Sequence, residues 1–195
     1  MTALSAHPPR PRCWPTVLAF SLLHFALMWL GVLLVEPFSG GCMFIIPAYF
    51  IVLVVILPIL KLRRFGAGTA VFLLYFLGGL YPTYYFEWQT SGRLISPWGV
   101  LAWCLVGPLI GLSADLAFKY LPRALPENWR SAAIGAVAGG ALYLTTYLAL
   151  ATLYRDPAAG SHFHFFAEGA YFSLPWPLVN GAFAGYTAHA LVKRA

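Results

Sequence analysis

Six apolar stretches alternate with short polar gaps along this chain, running Trp14 to Val35, Cys42 to Leu60, Gly66 to Phe86, Pro97 to Phe118, Ser131 to Tyr154 and Ala170 to Val192. Each is close to the ~20 residues with which a helix crosses a hydrocarbon core about 30 Å thick. Backbone N–H and C=O groups find no water in lipid, so each stretch is expected to satisfy them internally, as a helix. Aromatic residues fall where interfaces belong: Trp14 and Trp129 at one set of ends, and Tyr81, Tyr84, Tyr85, Trp88, Trp98 and Trp176 at the other. Pro47, Pro58, Pro82, Pro108, Pro175 and Pro177 interrupt or flank the stretches and favour kinks, with Pro175 and Pro177 breaking the outer end of the last.

The gaps differ in sign. Arg10 and Arg12 precede the first stretch, Lys61, Arg63 and Arg64 follow the second, Lys119, Arg123 and Arg130 follow the fourth, and Lys193 and Arg194 follow the sixth. Six crossings put those ten bases on one side and leave only Arg93 and Arg155 on the other. The positive-inside rule then predicts an all-α integral membrane protein, six transmembrane helices in one bundle, with both termini in the cytoplasm and the inner (plasma) membrane as its location.

Composition sharpens that reading. With 61% hydrophobic and 9% charged residues and a mean hydropathy of +0.75, the chain lies far from the roughly 45–50% apolar and about 25% charged content of soluble domains. The net charge of +6 comes from short clusters beside the spans, which suit the anionic headgroups of membrane lipids and not nucleic acid. Residues 1–13 read as a disordered cytoplasmic tail with a Pro-rich start, and 14–195 as one transmembrane domain. The first apolar run exceeds the ~7–15 residues of a signal core and lacks a clear cleavage site, so it counts as a span. Cys13, Cys42 and Cys104 have neither metal-knuckle nor redox spacing and read as small buried apolar residues.

Small residues recur four apart at Gly107 and Gly111, at Ala132, Ala136 and Gly140, at Gly135 and Gly139, and at Gly181 and Gly185. Such ridges let helices approach closely, within one bundle or against another subunit. Asp115 and Lys119, i and i+4, are expected to pair at the inner end of the fourth span.

Chemistry is concentrated outside. Glu36, Glu87, Asp156, Glu168, His162 and His164 all fall in external loops rich in Tyr, Phe and Trp, the mix of apolar walls and convergent polar groups that makes a binding pocket. The candidate substrate-binding residues are Tyr84, Glu87, Trp88, His164, Glu168, Trp176 and Asn180. The rings would stack on a planar aromatic or cationic molecule, the carboxylates would orient its polar groups, and Asn180 would line the floor. His162, His164 and Glu168 are weaker candidates for a transition-metal site, because two His at i and i+2 with a nearby carboxylate have no recognised ligand spacing. His24 and His189 lie within spans, where polar groups face a bundle interior or cavity. No nucleophile elbow, zinc-protease or phosphate-loop motif occurs, so no catalytic residue and no cofactor is assigned and an enzyme is not expected.

Gly107-Pro108-Leu109-Ile110-Gly111-Leu112-Ser113-Ala114-Asp115 and Pro177-Leu178-Val179-Asn180-Gly181-Ala182-Phe183-Ala184-Gly185, the latter running into Lys193 and Arg194, resemble the fourth and sixth spans of the substrate-binding S component of energy-coupling factor (ECF) transporters. The likeness extends to the six-span plan over nearly the whole chain. It implies an outward pocket for a vitamin-like substrate, a transmembrane T component as partner and two cytoplasmic ATPases. Many members carry Ala-x-x-x-Ala on the first span, whereas Ala19 and Ala26 here are seven apart. The metal-uptake branch of the family commonly uses an N-terminal His, a role that His7 in the cytoplasmic tail cannot fill. Two other classes fit the residues: a non-transporting membrane scaffold or assembly subunit whose Gly ridges bind another protein, and a metal-dependent intramembrane enzyme using His162, His164 and Glu168.

Overall fold

The computed structural model describes residues 13–35, 42–72, 76, 97–153 and 175–194, and among them the chain is helical, with no strand. Five helices run Cys13–Val35 (α1), Cys42–Leu62 (α2), Pro97–Tyr120 (α3), Glu127–Leu153 (α4) and Pro175–Arg194 (α5), and a further helical stretch begins at residue 67. Each coincides with an apolar run read from the sequence. The helix over Glu127–Ala149 is long and apolar enough to cross a membrane, with a mean hydropathy of 1.4, and Cys13–Leu27 and Ala48–Leu62 form shorter apolar helical runs.

Helix ends follow local chemistry. The α2 helix closes where Arg63 takes a left-handed φ of 49° and its N–H bonds Ile59 C=O at 2.8 Å. Gly66, at φ 90°, then turns the chain toward the next helix. Proline marks both later starts. Pro126 C=O accepts from Arg130 N–H at 2.9 Å to open α4, with Glu127 in the first turn where its charge suits the helix dipole. Pro175 and Pro177 stand in the first turn of α5, where a missing N–H costs nothing, so they start that helix instead of breaking it.

The core is built on α2. Val52, Val55, Ile56 and Ile59 pack with Phe72, Ile110, Ala114, Ile134, Ala138, Ala184 and Ala188, and α2 touches each of the other four helices. The most extensive contact is between α4 and α5. A Cβ on Gly135 would run into the carbonyl of Gly181, one on Gly139 into that of Pro177, and one on Gly185 into that of Ser131. Backbone therefore lies directly on backbone, as small-residue ridges permit. Gly111 meets Gly68 and Thr69 in the same way, with a Cβ reaching 2.6 Å from Gly68 O, and Gly107 receives the Phe72 ring. These glycines are packed inside the bundle, whereas Ala132, Ala136 and Gly140 are only half-buried.

The outward faces are apolar. On α3, Leu101, Leu105, Leu109, Leu112 and Leu116 form an exposed stripe, while Cys104, Gly107, Gly111, Ala114 and Asp115 face inward. On α5, Val179, Phe183 and Tyr186 are exposed and Gly181, Ala184, Gly185 and Ala188 are buried. A helix on a water-soluble domain buries its large side chains; these bury the small ones. Hydroxyls along the helices bond their own backbone, Ser21 to Val17 C=O at 2.9 Å, Thr145 to Ala141 C=O at 2.6 Å and Thr187 to Phe183 C=O at 2.9 Å, so none needs water.

Candidate functional site

Of the substrate-binding residues expected from the sequence, Tyr84, Glu87, Trp88, His164 and Glu168 lie outside the described residues, as does His162. Trp176 and Asn180 are described. They stand i and i+4 on the first two turns of α5, Trp176 exposed and Asn180 half-buried, so one lies above the other on the same flank. Their helix is held by the Pro177–Gly139 and Gly181–Gly135 contacts just below. Among the described residues no group of three His, Cys, Asp or Glu converges as a metal site.

The expected Asp115–Lys119 pair does not form. Asp115 is fully buried, and its carboxylate accepts from the backbone N–H of Gly68 at 3.1 Å, the N–H of Thr69 at 2.8 Å and the hydroxyl of Thr69 at 2.7 Å. Those amides belong to the first turn of the helix beginning at residue 67, where N–H groups have no partner within their own helix and the dipole is positive. Two fixed amides and a hydroxyl hold a buried carboxylate better than an exposed ammonium does. Lys119 instead lies over the rings of Phe65, at 5.4 Å, and Tyr120, at 5.1 Å. His24 is also buried, its ring edge-on to Phe72 at 4.7 Å, as expected of a polar residue facing the bundle interior.

A concavity lies at the opposite end of α5 from Trp176. A cavity of about 1070 Å³ opens among the last turns of α2, α3 and α5 and the first turns of α4. Arg63, Lys119, Arg123, Arg130 and Lys193 line it, together with His189, Asn128, Ser131 and one acid, Glu127, over an apolar wall that includes Phe65, Phe118 and Ile134. Glu127 pairs with Arg63 at 3.3 Å, both side chains well exposed, and this is the one ion pair among the described residues. Arg130 is half-buried. Its guanidinium donates to Phe118 C=O and lies 4.9 Å from the Phe118 ring centroid, while its Nε is buried with no hydrogen-bond partner. The cavity therefore carries more fixed positive charge than it neutralises. The bases were legible only as markers of membrane side. Their meeting in one cavity depends on α2, α3 and α5 ending where α4 begins.

In comparisons with protein families, with curated proteins and with solved structures, nothing matches this chain.

Proposed function

We propose that this chain is a six-span inner-membrane protein with both termini in the cytoplasm, and that it is the capture subunit of an uptake system for a small aromatic or cationic molecule. The observation that carries the reading is the polarity of the bundle. Arg63 after the second stretch, Lys119, Arg123 and Arg130 after the fourth, and Lys193 after the sixth gather round one cavity, while Trp176 and Asn180 stand at the far end of α5. That is the arrangement alternate crossings produce. The exposed leucines of α3 support the same reading, since lipid covers such a face and water does not.

In this reading the mouth of the site is outside, with Trp176 and Asn180 joined by Tyr84, Glu87, Trp88, His164 and Glu168. Transport requires partners, a transmembrane subunit and two ATPases at the basic end, because the sequence carries no nucleotide-binding motif of its own. The test is native mass spectrometry of full-length protein purified without added substrate, followed by binding of whatever molecule co-purifies. Glu168→Ala and Trp176→Ala should each weaken its retention while the helical signal stays unchanged. Equal retention in both variants removes the pocket. Recovery with a respiratory or cell-wall complex, and no ATPase, would favour a scaffold.

A further inference from the structure

We infer that the basic cavity at the inner end of the bundle is a binding site for a phosphate-bearing anion, with the headgroup of an anionic phospholipid as the occupant its shape fits best. The inference rests on the membrane orientation proposed above but not on the capture of a substrate, since it concerns other residues at the other end of the molecule. Its first support is charge. Five cations from four separate segments converge on one concavity that holds a single carboxylate, and that carboxylate is already paired with Arg63. Lys119, Arg123, Arg130 and Lys193 have no carboxylate partner among the described residues, so an anion entering the cavity meets uncompensated charge without displacing a protein partner.

The second support is Arg130. Its Nε is buried and makes no hydrogen bond, although the rest of the guanidinium is fixed by Phe118 C=O and the Phe118 ring. The guanidinium is thereby held at the cavity wall, so its charge faces an entering anion with little rotamer freedom left to lose. The third is the wall. Leu60, Phe65, Phe118, Ile134, Tyr186 and Val192 line the same cavity, giving apolar surface beside the bases. A free inorganic anion has no use for that surface, whereas the glycerol and first methylenes of a phospholipid do.

Wild-type protein reconstituted in nanodiscs of phosphatidylcholine with one-fifth phosphatidylglycerol, then released into detergent, should retain phosphatidylglycerol over phosphatidylcholine in native mass spectra. Arg123→Gln and Lys193→Gln change exposed cavity residues and should each lower that retention about fivefold, the effect of roughly one surface base on an anionic lipid. Lys61→Gln with Arg64→Gln removes two exposed bases that do not line the cavity and should leave retention unchanged. A parallel titration with inorganic phosphate separates the sources. Phosphate that binds with the same dependence on Arg123 and Lys193, without any lipid preference, keeps the anion site and assigns it to a soluble ligand. Retention that falls equally in the Lys61/Arg64 variant, or binding of neither probe, overturns the site.

Discussion

Replacing Asp115 by Ala tests whether a buried carboxylate holds the start of one helix to the middle of the bundle. The substitution leaves the Gly68 and Thr69 amides without their acceptor, the two having stood at 3.1 and 2.8 Å from it. The Thr69 hydroxyl at 2.7 Å can rotate to another acceptor, so the amides carry the cost. A hydrogen bond to a charged group is worth about 1.5–3 kcal/mol, which makes the loss about 3–6 kcal/mol, a large part of the ~5–15 kcal/mol that ordinary domains possess. For a chain of this length that corresponds to a midpoint lower by on the order of 10 °C. Asp115→Asn retains one acceptor oxygen and turns an NH2 toward a donor, so roughly half the loss is expected. Lys119→Gln should change stability by less than ~0.5 kcal/mol, since the exposed ammonium touches rings and no carboxylate. Thermal unfolding of the detergent-solubilised protein, followed by tryptophan fluorescence, reads all three. Stability equal to wild type in Asp115→Ala, or a Lys119→Gln loss of the same size, would refute the cap and restore the ion pair.

Gly181→Ala and Gly135→Ala should each lower the unfolding midpoint, the forced overpacking costing about 1–3 kcal/mol of stability, because the new Cβ meets a backbone carbonyl that cannot move aside. Gly140→Ala, whose Cβ meets only the flexible Leu178 side chain at 3.0 Å, should be tolerated in the same melt. Breaking the exposed Arg63–Glu127 pair with Glu127→Gln should cost no more than ~0.5 kcal/mol in a denaturation series, as both partners are solvated. Single cysteines placed at Trp88 and His164 should react with a membrane-impermeant thiol reagent in intact cells, whereas one at Arg123 should react only after permeabilisation; the reverse pattern inverts the orientation. Leu109→Lys, in the exposed stripe of α3, should lower the membrane-inserted yield by an amount set by about 2.5–3.5 kcal/mol at mid-membrane, and an unchanged yield would remove lipid from that face.

Helix positions were legible because apolar length alone fixes them: the runs from Trp14, Cys42 and Pro97 begin within a residue of α1, α2 and α3. Two features were misread for the same reason, that sequence spacing reports neighbours on one helix only. Asp115 and Lys119 share a face at i and i+4, yet the carboxylate turns to amides that lie 46 and 47 residues earlier in the chain. Pro175 and Pro177 suggest a broken helix until the first turn is seen to begin at Pro175. The glycine ridges are visible as a pattern, but only the packing of the helices separates Gly135 and Gly139, pressed on α5, from Gly140, which faces a side chain. Of the expected pocket residues, Trp176 and Asn180 stand on one flank of α5, and the others lie outside the described residues. The basic cavity went unrecognised because its members are scattered from Leu60 to Lys193 and each base already had an adequate explanation in the expected topology.

The packing that stabilises the bundle is also what shapes the basic cavity. Gly185 lies on the carbonyl of Ser131, and Ser131, whose hydroxyl is held by Glu127 C=O at 2.7 Å, lines the cavity next to Arg130. One helical turn beyond Gly185 come His189 and then Lys193, on the opposite wall. The width of the cavity between α4 and α5 is thus set by a contact in which neither helix has a side chain to yield. On the other flank Asp115 fixes Gly68 and Thr69, and the chain leading to them carries Phe65 under Lys119. A Cβ at Gly185 must therefore push α5 from α4 and separate Lys193 from Arg130, so a change with no charge should weaken anion retention as surely as one that removes a base. Anion retention in Gly185→Ala compared with Gly140→Ala separates that coupling from a general loss of stability.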